Sequence, residues 1–259
     1  MRYLSGYTNQ VILLLIVFVG LAGCSEPNKK VVVATAANVQ YVMQELKEEF
    51  ERESDTEIEM VVSSSGKLTT QIREGAPFDV FVSADTQYPA EIHKHGGSDM
   101  APRVYARGTL VLWTLDSTAT DLSVNSLAAN SIRKIAMANP RTAPYGEAAV
   151  QAMQKAGIYE LVKGKLVYGE SIAQTSQYIA SGAADVGFTA MSVVLSPEMR
   201  GKGRWVKVDS SAYQPIEQAA VLLRHSEDSF KAKPSREFFE FLYSERAKAI
   251  FRRYGYSVE

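Results

Sequence analysis

The residues of this chain best placed for chemistry are small, neutral and grouped at four turns. They are Ala37-Asn38, Ser64-Ser65-Gly66, Ala143-Pro144-Tyr145 and Ser171-Ile172. In each, a short apolar run passes through small or polar residues into a stretch with helical character. The first turn of a helix carries N–H groups without intrahelical partners and the positive end of the helix dipole, so it attracts anions. Four such ends around one cleft would surround a small anion with donors and set no formal charge beside it. That arrangement suits binding better than bond making. Ile172 could add only its backbone N–H and apolar bulk, which argues against catalysis.

Each turn also has a plainer reading. Asn38 is a natural helix N-cap, or a side-chain donor facing a cleft. Ser64 and Ser65 form a capped turn, or aim hydroxyls and N–H groups at an anion. The run Ser63-Ser64-Ser65-Gly66-Lys67 fails the P-loop pattern, which wants Gly five residues before its second Gly and Ser or Thr after the Lys. Those positions hold Val61 and Leu68. Pro140 and Pro144 make a rigid strand exit, and Pro144 suits a first helical turn, which would fix Tyr145 near the helix start. Tyr145 is either core or, through its backbone N–H, a donor.

Metal and nucleophilic sites are poorly supplied. The three His are His93, His95 and His225, the first two in a polar helix end beside Gly96-Gly97. Tyr145 and Tyr213 could meet to hold ferric iron, but no adjacent Tyr pair supports that. No Gly-x-Ser-x-Gly elbow is present.

The elements that must position these turns alternate along the chain. Apolar runs predict strands over 31–34, 58–62, 79–82, 109–114, 134–138, 166–168, 185–189 and 219–223. Helices are predicted over 38–53, 67–73, 86–95, 145–155, 171–180, 235–243 and 245–254. In the first, Val39, Val42, Met43, Leu46 and Phe50 fall at helical spacing. Gly96-Gly97, Gly157 and Gly182 act as stop signals. Strands separated by helices predict an α/β fold with parallel sheets flanked by helices.

Residues 1–23 read as a secretory signal, with an uncleaved anchor helix as the plainer alternative. Arg2 gives a positive start, and 11–20 is an apolar run too short for a spanning helix, which needs about 20 residues. It ends in Leu21-Ala22-Gly23-Cys24, similar to a bacterial lipobox, in which Cys24 would be lipidated and become the mature N-terminus. Cys24 is the sole Cys, so no disulfide is expected. Residues 24–30 read as lipid anchor and polar tether. The 28 Lys and Arg balance 29 Asp and Glu, which gives no reason to expect nucleic acid as a partner.

Taken in order, these motifs resemble one family. Its marks are 34–38 (ATAAN), 64–68 (SSGKL), 75–85 (GAPFDVFVSAD), 138–140 with 143–146, 181–188 (SGAADVGF) and 253–256 (RYGY). The chain is similar to the periplasmic molybdate-binding proteins of ABC importers, the ModA family, over residues 31–259. The resemblance implies a two-lobed, type II-like periplasmic binding protein with parallel or mixed sheets and its ligand in the interlobe cleft. Lobe 1 would comprise 31–110 and 219–259, and lobe 2 would comprise 111–218. It implies that Asn38 and Ser65 contact the oxyanion through side chain and backbone, that Tyr145 and Ile172 contact it mainly through backbone N–H, and that Ala37 and Ser64 line the pocket. Molybdate or tungstate would be held as an oxyanion, not as a bare metal ion, and no cofactor is needed. One branch of the family has Ser where this chain has Asn38, and a Tyr hydroxyl where this chain has Ala190; this chain follows the other branch, so no donor is assigned to 188–192. The implied function is a monomeric, non-enzymatic lipoprotein receptor, facing the periplasm or cell exterior, that delivers its ligand to an inner-membrane permease. The alternative is a same-fold receptor for sulfate, phosphate, ferric ion or a small organic anion.

Overall fold

The structure, a computed structural model, describes residues 30–118, 121–227 and 232–259. The predicted signal segment, Cys24 and the predicted tether up to residue 29 lie outside them. Ten strands are formed among the described residues: β1 Lys30–Ala36, β2 Glu57–Ser63, β3 Val80–Val82, β4 Arg103–Gly108, β5 Leu110–Thr114, β6 Ile135–Ala138, β7 Leu166–Gly169, β8 Val186–Ala190, β9 Arg204–Lys207 and β10 Ile216–Leu222. The α-helices are α1 Gln40–Glu51, α2 Ser65–Arg73, α3 Gln87–Lys94, α4 Pro144–Lys155, α5 Tyr159–Val162, α6 Ile172–Ala180, α7 Met191–Val194, α8 Arg224–Glu227, α9 Ala232–Phe241 and α10 Glu245–Arg253.

The strands form two five-stranded sheets, in the orders β2-β1-β3-β10-β4 and β7-β6-β8-β5-β9. Within the first, β1 runs parallel to β2 and β3, while β10 is antiparallel to β3 and β4. Within the second, β6 runs parallel to β7 and β8, and β5 is antiparallel to β8 and β9. Both sheets are therefore mixed. The chain passes from the first sheet to the second at Thr109, between β4 and β5, and returns between β9 and β10.

The interior strands are the apolar ones. Every residue of β5 (LVLWT), β6 (IAMA) and β8 (VGFTA) is buried, as continuous hydrophobic runs covered on both faces should be. An apolar cluster links the two sheets, with Val39, Leu46 and Leu222 on one side and Leu110, Met137 and Phe188 on the other. Phe81, Leu68 and Ile92 fill a second layer under the first sheet, and Trp113, Ile179 and Val194 a third under the second.

Two strands and three short helices have no counterpart in the sequence reading. β4 (RVYARG) and β9 (RWVK) are edge strands, polar and partly exposed, and lack an apolar run. The one-turn helices α5, α7 and α8 are too short to show a period. The predicted helix over 38–53 also starts differently. Residues Ala37–Val39 form a 3₁₀ turn, α1 begins at Gln40, and the Asn38 side chain caps neither. Two predicted stops take the expected form: Gly157 and Gly182 have φ of 71° and 72°, a conformation that favours Gly.

Parallel strands carry the turns to one region. The carboxyl ends of β1, β2 and β3 deliver Ala37, Ser64 and Ala84, and those of β6 and β7 deliver the turns into α4 and α6. Ligands of open α/β sheets lie beyond such strand ends.

Candidate functional site

All six sequence-predicted residues line one hollow between the two sheets. Ala36, Ala37, Asn38, Ser64, Ser65 and Ala84 face it from the first side, and Ala143, Pro144, Tyr145 and Ile172 from the second. The cavity is about 10 Å³, close to the room one small sphere needs and far below the roughly 300–1,000 Å³ of sites for organic ligands. Larger hollows of about 420 Å³ beside β4 and about 540 Å³ beside Thr114 and Leu122 each belong to one sheet's half alone.

The serine turn is built for donation. Ser64 is extended, with φ −71° and ψ 150°, and α2 starts at the next residue. The Ser65 Oγ accepts the Ala84 N–H at 3.0 Å, which leaves its own proton to give. The Ser64 Oγ is buried and has no hydrogen-bond partner. A buried hydroxyl left unpaired costs about 1–3 kcal/mol, so such a group at a hollow points to a ligand.

The second side supplies rigid helix starts. Pro144 occupies the first turn of α4. A Cβ on Gly146 would stand 2.2 Å from the Ala138 carbonyl, so the helix can press against the end of β6 only with Gly there. The Tyr145 ring is buried and its Oη accepts the Gln218 Nε2–H at 3.0 Å. Its backbone N–H, near the helix start, has no acceptor one turn back. Ahead of α6, the Ser171 hydroxyl accepts the Gln174 N–H as an N-cap, so Ile172 is the first helical residue.

Asn38 lines the hollow, but its amide is turned to other partners. Its Nδ2 donates to Gln218 Oε1 at 2.9 Å and to Tyr256 Oη at 3.2 Å. The backbone of its 3₁₀ turn is what remains to face a ligand. The segment 188–192 supports that turn: Ser192 Oγ donates to the Asn38 carbonyl at 2.7 Å, and Tyr256 Oη donates to Ser192 Oγ. Gln218, Tyr256 and Ser192 escaped the sequence reading as site residues, because each meets Asn38 or Tyr145 from far along the chain, and so did Tyr105, which reaches the network only through Gln218.

No Lys, Arg, Asp or Glu lines the hollow. At the two sides, Lys67 and Glu170 pair at 2.6 Å, each half-exposed. Burial pushes the Tyr145 phenol well above its ordinary range, a shift that outweighs the opposing hydrogen bond from Gln218. The Tyr213 Oη accepts the Leu110 N–H at 3.1 Å. His93 and His95 bond locally, to the Ser98 and Glu91 carbonyls. Among the described residues no group of three or more His, Cys, Asp or Glu could hold a metal ion.

A cleft between two lobes, lined with neutral donors, is what a solute receptor needs. Residues 31–257 match the family of bacterial extracellular solute-binding proteins. The chain belongs to that family. One relative of this solute-binding protein, the molybdate-binding protein ModA of Azotobacter vinelandii, is 36% identical over 242 residues, 93% of this chain and 94% of its own. The molybdate-binding protein ModA of Rhodobacter capsulatus is 38% identical over 234 residues, 89% of each chain. The solved Azotobacter vinelandii periplasmic molybdate-binding protein superposes with a TM-score of 0.83 at 30% identity, covering 88% of this chain and 99% of that one. Its fold is the expected two-sheet periplasmic binding protein fold. The relatives are binding proteins, not enzymes, in agreement with the sequence reading. Among the described residues, no helix of this solute-binding protein is long and apolar enough to cross a membrane.

Proposed function

We propose that this chain is an extracytoplasmic receptor that captures molybdate or tungstate in the interlobe hollow and hands it to the permease of an ABC importer. The observation that carries the reading is the unpartnered, buried Ser64 hydroxyl at a hollow lined only by neutral residues. The proposed donors are the Ser64 and Ser65 hydroxyls and the backbone N–H groups of the Asn38, Ser65, Tyr145 and Ile172 turns, with Ala37 as apolar lining. The ligand is a tetrahedral dianion. Hydrogen bonds to a charged acceptor contribute about 1.5–3 kcal/mol each, so neutral donors suffice. Rigid donors also read size. The hollow would open to admit the anion, and donors that close at a spacing fitted to the longer metal–oxygen bonds of molybdate would hold sulfate too loosely and admit tungstate. Phosphate keeps a proton at neutral pH, and no carboxylate lines the hollow to accept it.

A ligand held by both lobes stabilises the closed form by its differential affinity for that form. The permease would read the closed face. Cys24 would carry the lipid that holds the receptor at the membrane, and the receptor would act as a monomer.

Titration calorimetry of the chain from Ser25 onward with molybdate, tungstate and sulfate tests this. One-to-one binding of the first two with sulfate silent is the expected result. Binding of sulfate alone would keep the receptor and overturn the ligand; silence with all three would overturn the receptor.

A further inference from the structure

Gln218 is not among the residues that line the hollow, yet it joins the two sides of it. It lies fully buried on β10 of the first sheet. Its Oε1 accepts from Asn38 Nδ2 at 2.9 Å and from Tyr105 Oη at 2.8 Å, and its Nε2 donates to Tyr145 Oη at 3.0 Å. Asn38 sits on a turn of the first side, and Tyr145 starts a helix of the second. Tyr145 therefore spans the site, with its backbone at the hollow and its hydroxyl on the partner half.

Two independent features serve this contact. The pairing of β10 with β4 slips in register between Gln218 and Ala219, an irregularity of the kind that re-aims a side chain beside a functional site. Two residues further along β4, paired with Ile216, Gly108 ends the strand just before the chain crosses between sheets. A Cβ on Gly108 would fall 2.0 Å from Tyr145 Oη and 2.4 Å from Gln218 Nε2. The backbone at the crossing is thus stripped of its side chain where the two groups meet.

We propose that Gln218 is a positioning residue whose amide ties the Asn38 turn to the Tyr145 helix, so that donors from both halves meet one anion at fixed spacing. This role rests on the receptor function proposed above. An amide suits it because one side chain must accept and donate at once, and because a buried polar network specifies a geometry only when its members are satisfied. The titratable groups facing Gln218 are Tyr105, Tyr145 and Tyr256, all held in the neutral form by burial. Asp85 lies near Tyr105, and Glu217 is turned outward to Arg107.

The test compares wild type with Gln218→Met, which keeps the shape and loses the bonds, and Gln218→Glu, which adds a titratable group. Molybdate affinity is measured by calorimetry from pH 5.5 to 8, with melting temperature alongside. Gln218→Met is expected to bind at least tenfold more weakly than wild type. Gln218→Glu is expected to lose at least a hundredfold at pH 8, where a buried carboxylate opposes a dianion, and to recover to within tenfold of wild type at pH 5.5, where a protonated carboxyl again accepts and donates. A purely structural role would not produce that recovery. Gln218→Met binding within twofold of wild type, or Gln218→Glu following the wild-type pH profile, would overturn the role while leaving the receptor intact. Should Gln218→Met fail to fold, the Gln218→Glu profile decides. If wild type itself binds neither molybdate nor tungstate nor sulfate, the receptor function fails and this role fails with it.

Discussion

The backbone N–H of Gly66 donates to the carbonyl of Thr142 at 3.0 Å. That single bond joins the first turn of α2, beneath the first sheet, to the loop leading into α4 in the second. It is flanked by the Tyr88 hydroxyl on the Arg141 carbonyl at 3.2 Å. The two sides of the hollow are held together at its rim by backbone groups, whose positions tolerate little error.

Gly66→Ala tests that closeness. A Cβ there would stand 2.8 Å from Tyr88 Oη and 3.0 Å from Thr142 Cα. In a helix, Ala is better than Gly by about 1 kcal/mol, so the melting temperature without ligand should hold or rise. Molybdate affinity should nevertheless fall about tenfold, and small-angle scattering of the ligand-saturated variant should show a larger radius than wild type. An unchanged affinity would mean that the rim contact plays no part in closure.

The two serines separate stability from binding. Ser64→Ala removes a hydroxyl that has no partner in the protein, so folding stability should not fall. Affinity should drop by about 1.5–3 kcal/mol, the value of a hydrogen bond to a charged acceptor. Ser65→Ala also strips the Ala84 N–H of its acceptor, so both melting temperature and affinity should fall. Denaturant unfolding and calorimetry on the pair resolve the two effects.

Glu170→Gln removes one half of the Lys67–Glu170 pair that spans the two sides. Both groups are half-exposed, and such pairs contribute about 0–1 kcal/mol. Affinity should therefore weaken by no more than about fivefold, and the difference from wild type should vanish in high salt as screening removes it.

Asp85 gives the fold a pH signature. Burial pushes its carboxyl up to about 6, against the pull of the Tyr88 N–H and the Ser83 hydroxyl; Glu147 adds to the rise. Between the ordinary value of 3.8 and about 6, the folded protein keeps a proton that the unfolded chain has lost. Stability from this group therefore falls as pH rises through that window and is lowest above it. Asp85→Asn should remove the slope and be more stable than wild type at pH 7, by up to about 3 kcal/mol. Urea unfolding of both proteins from pH 4 to 8 checks it; parallel curves would assign the pH dependence elsewhere.

How far the site could be read in advance depended on how local its signals are. The turns at 37–38, 64–66, 143–145 and 171–172 announce themselves because each follows an apolar strand and uses residues with strong local preferences, such as Pro144 at a helix start. The buried interior strands were legible for the same reason. The edge strands β4 and β9 were not, since pairing on one side requires no apolar run. The Asn38 side chain was misplaced because its amide answers to Gln218 and Tyr256, 180 and 218 residues further on. Nothing in the neighbourhood of Asn38 encodes those partners, and helix capping was the local alternative that lost.

The placement of β10 sets an order on how the molecule is made. A chain that emerges from its N-terminus completes every strand of the second sheet before residue 216 appears. The first sheet must wait, because β10 lies between β3 and β4 and nothing else joins them. Until then, half of that sheet has exposed edges open to wrong partners. The final segment also delivers Gln218 and Tyr256 to a turn laid down near the start. A chain cut before residue 216 would hold a finished second half and an unassembled first, so binding competence hangs on the one strand that returns to the first sheet.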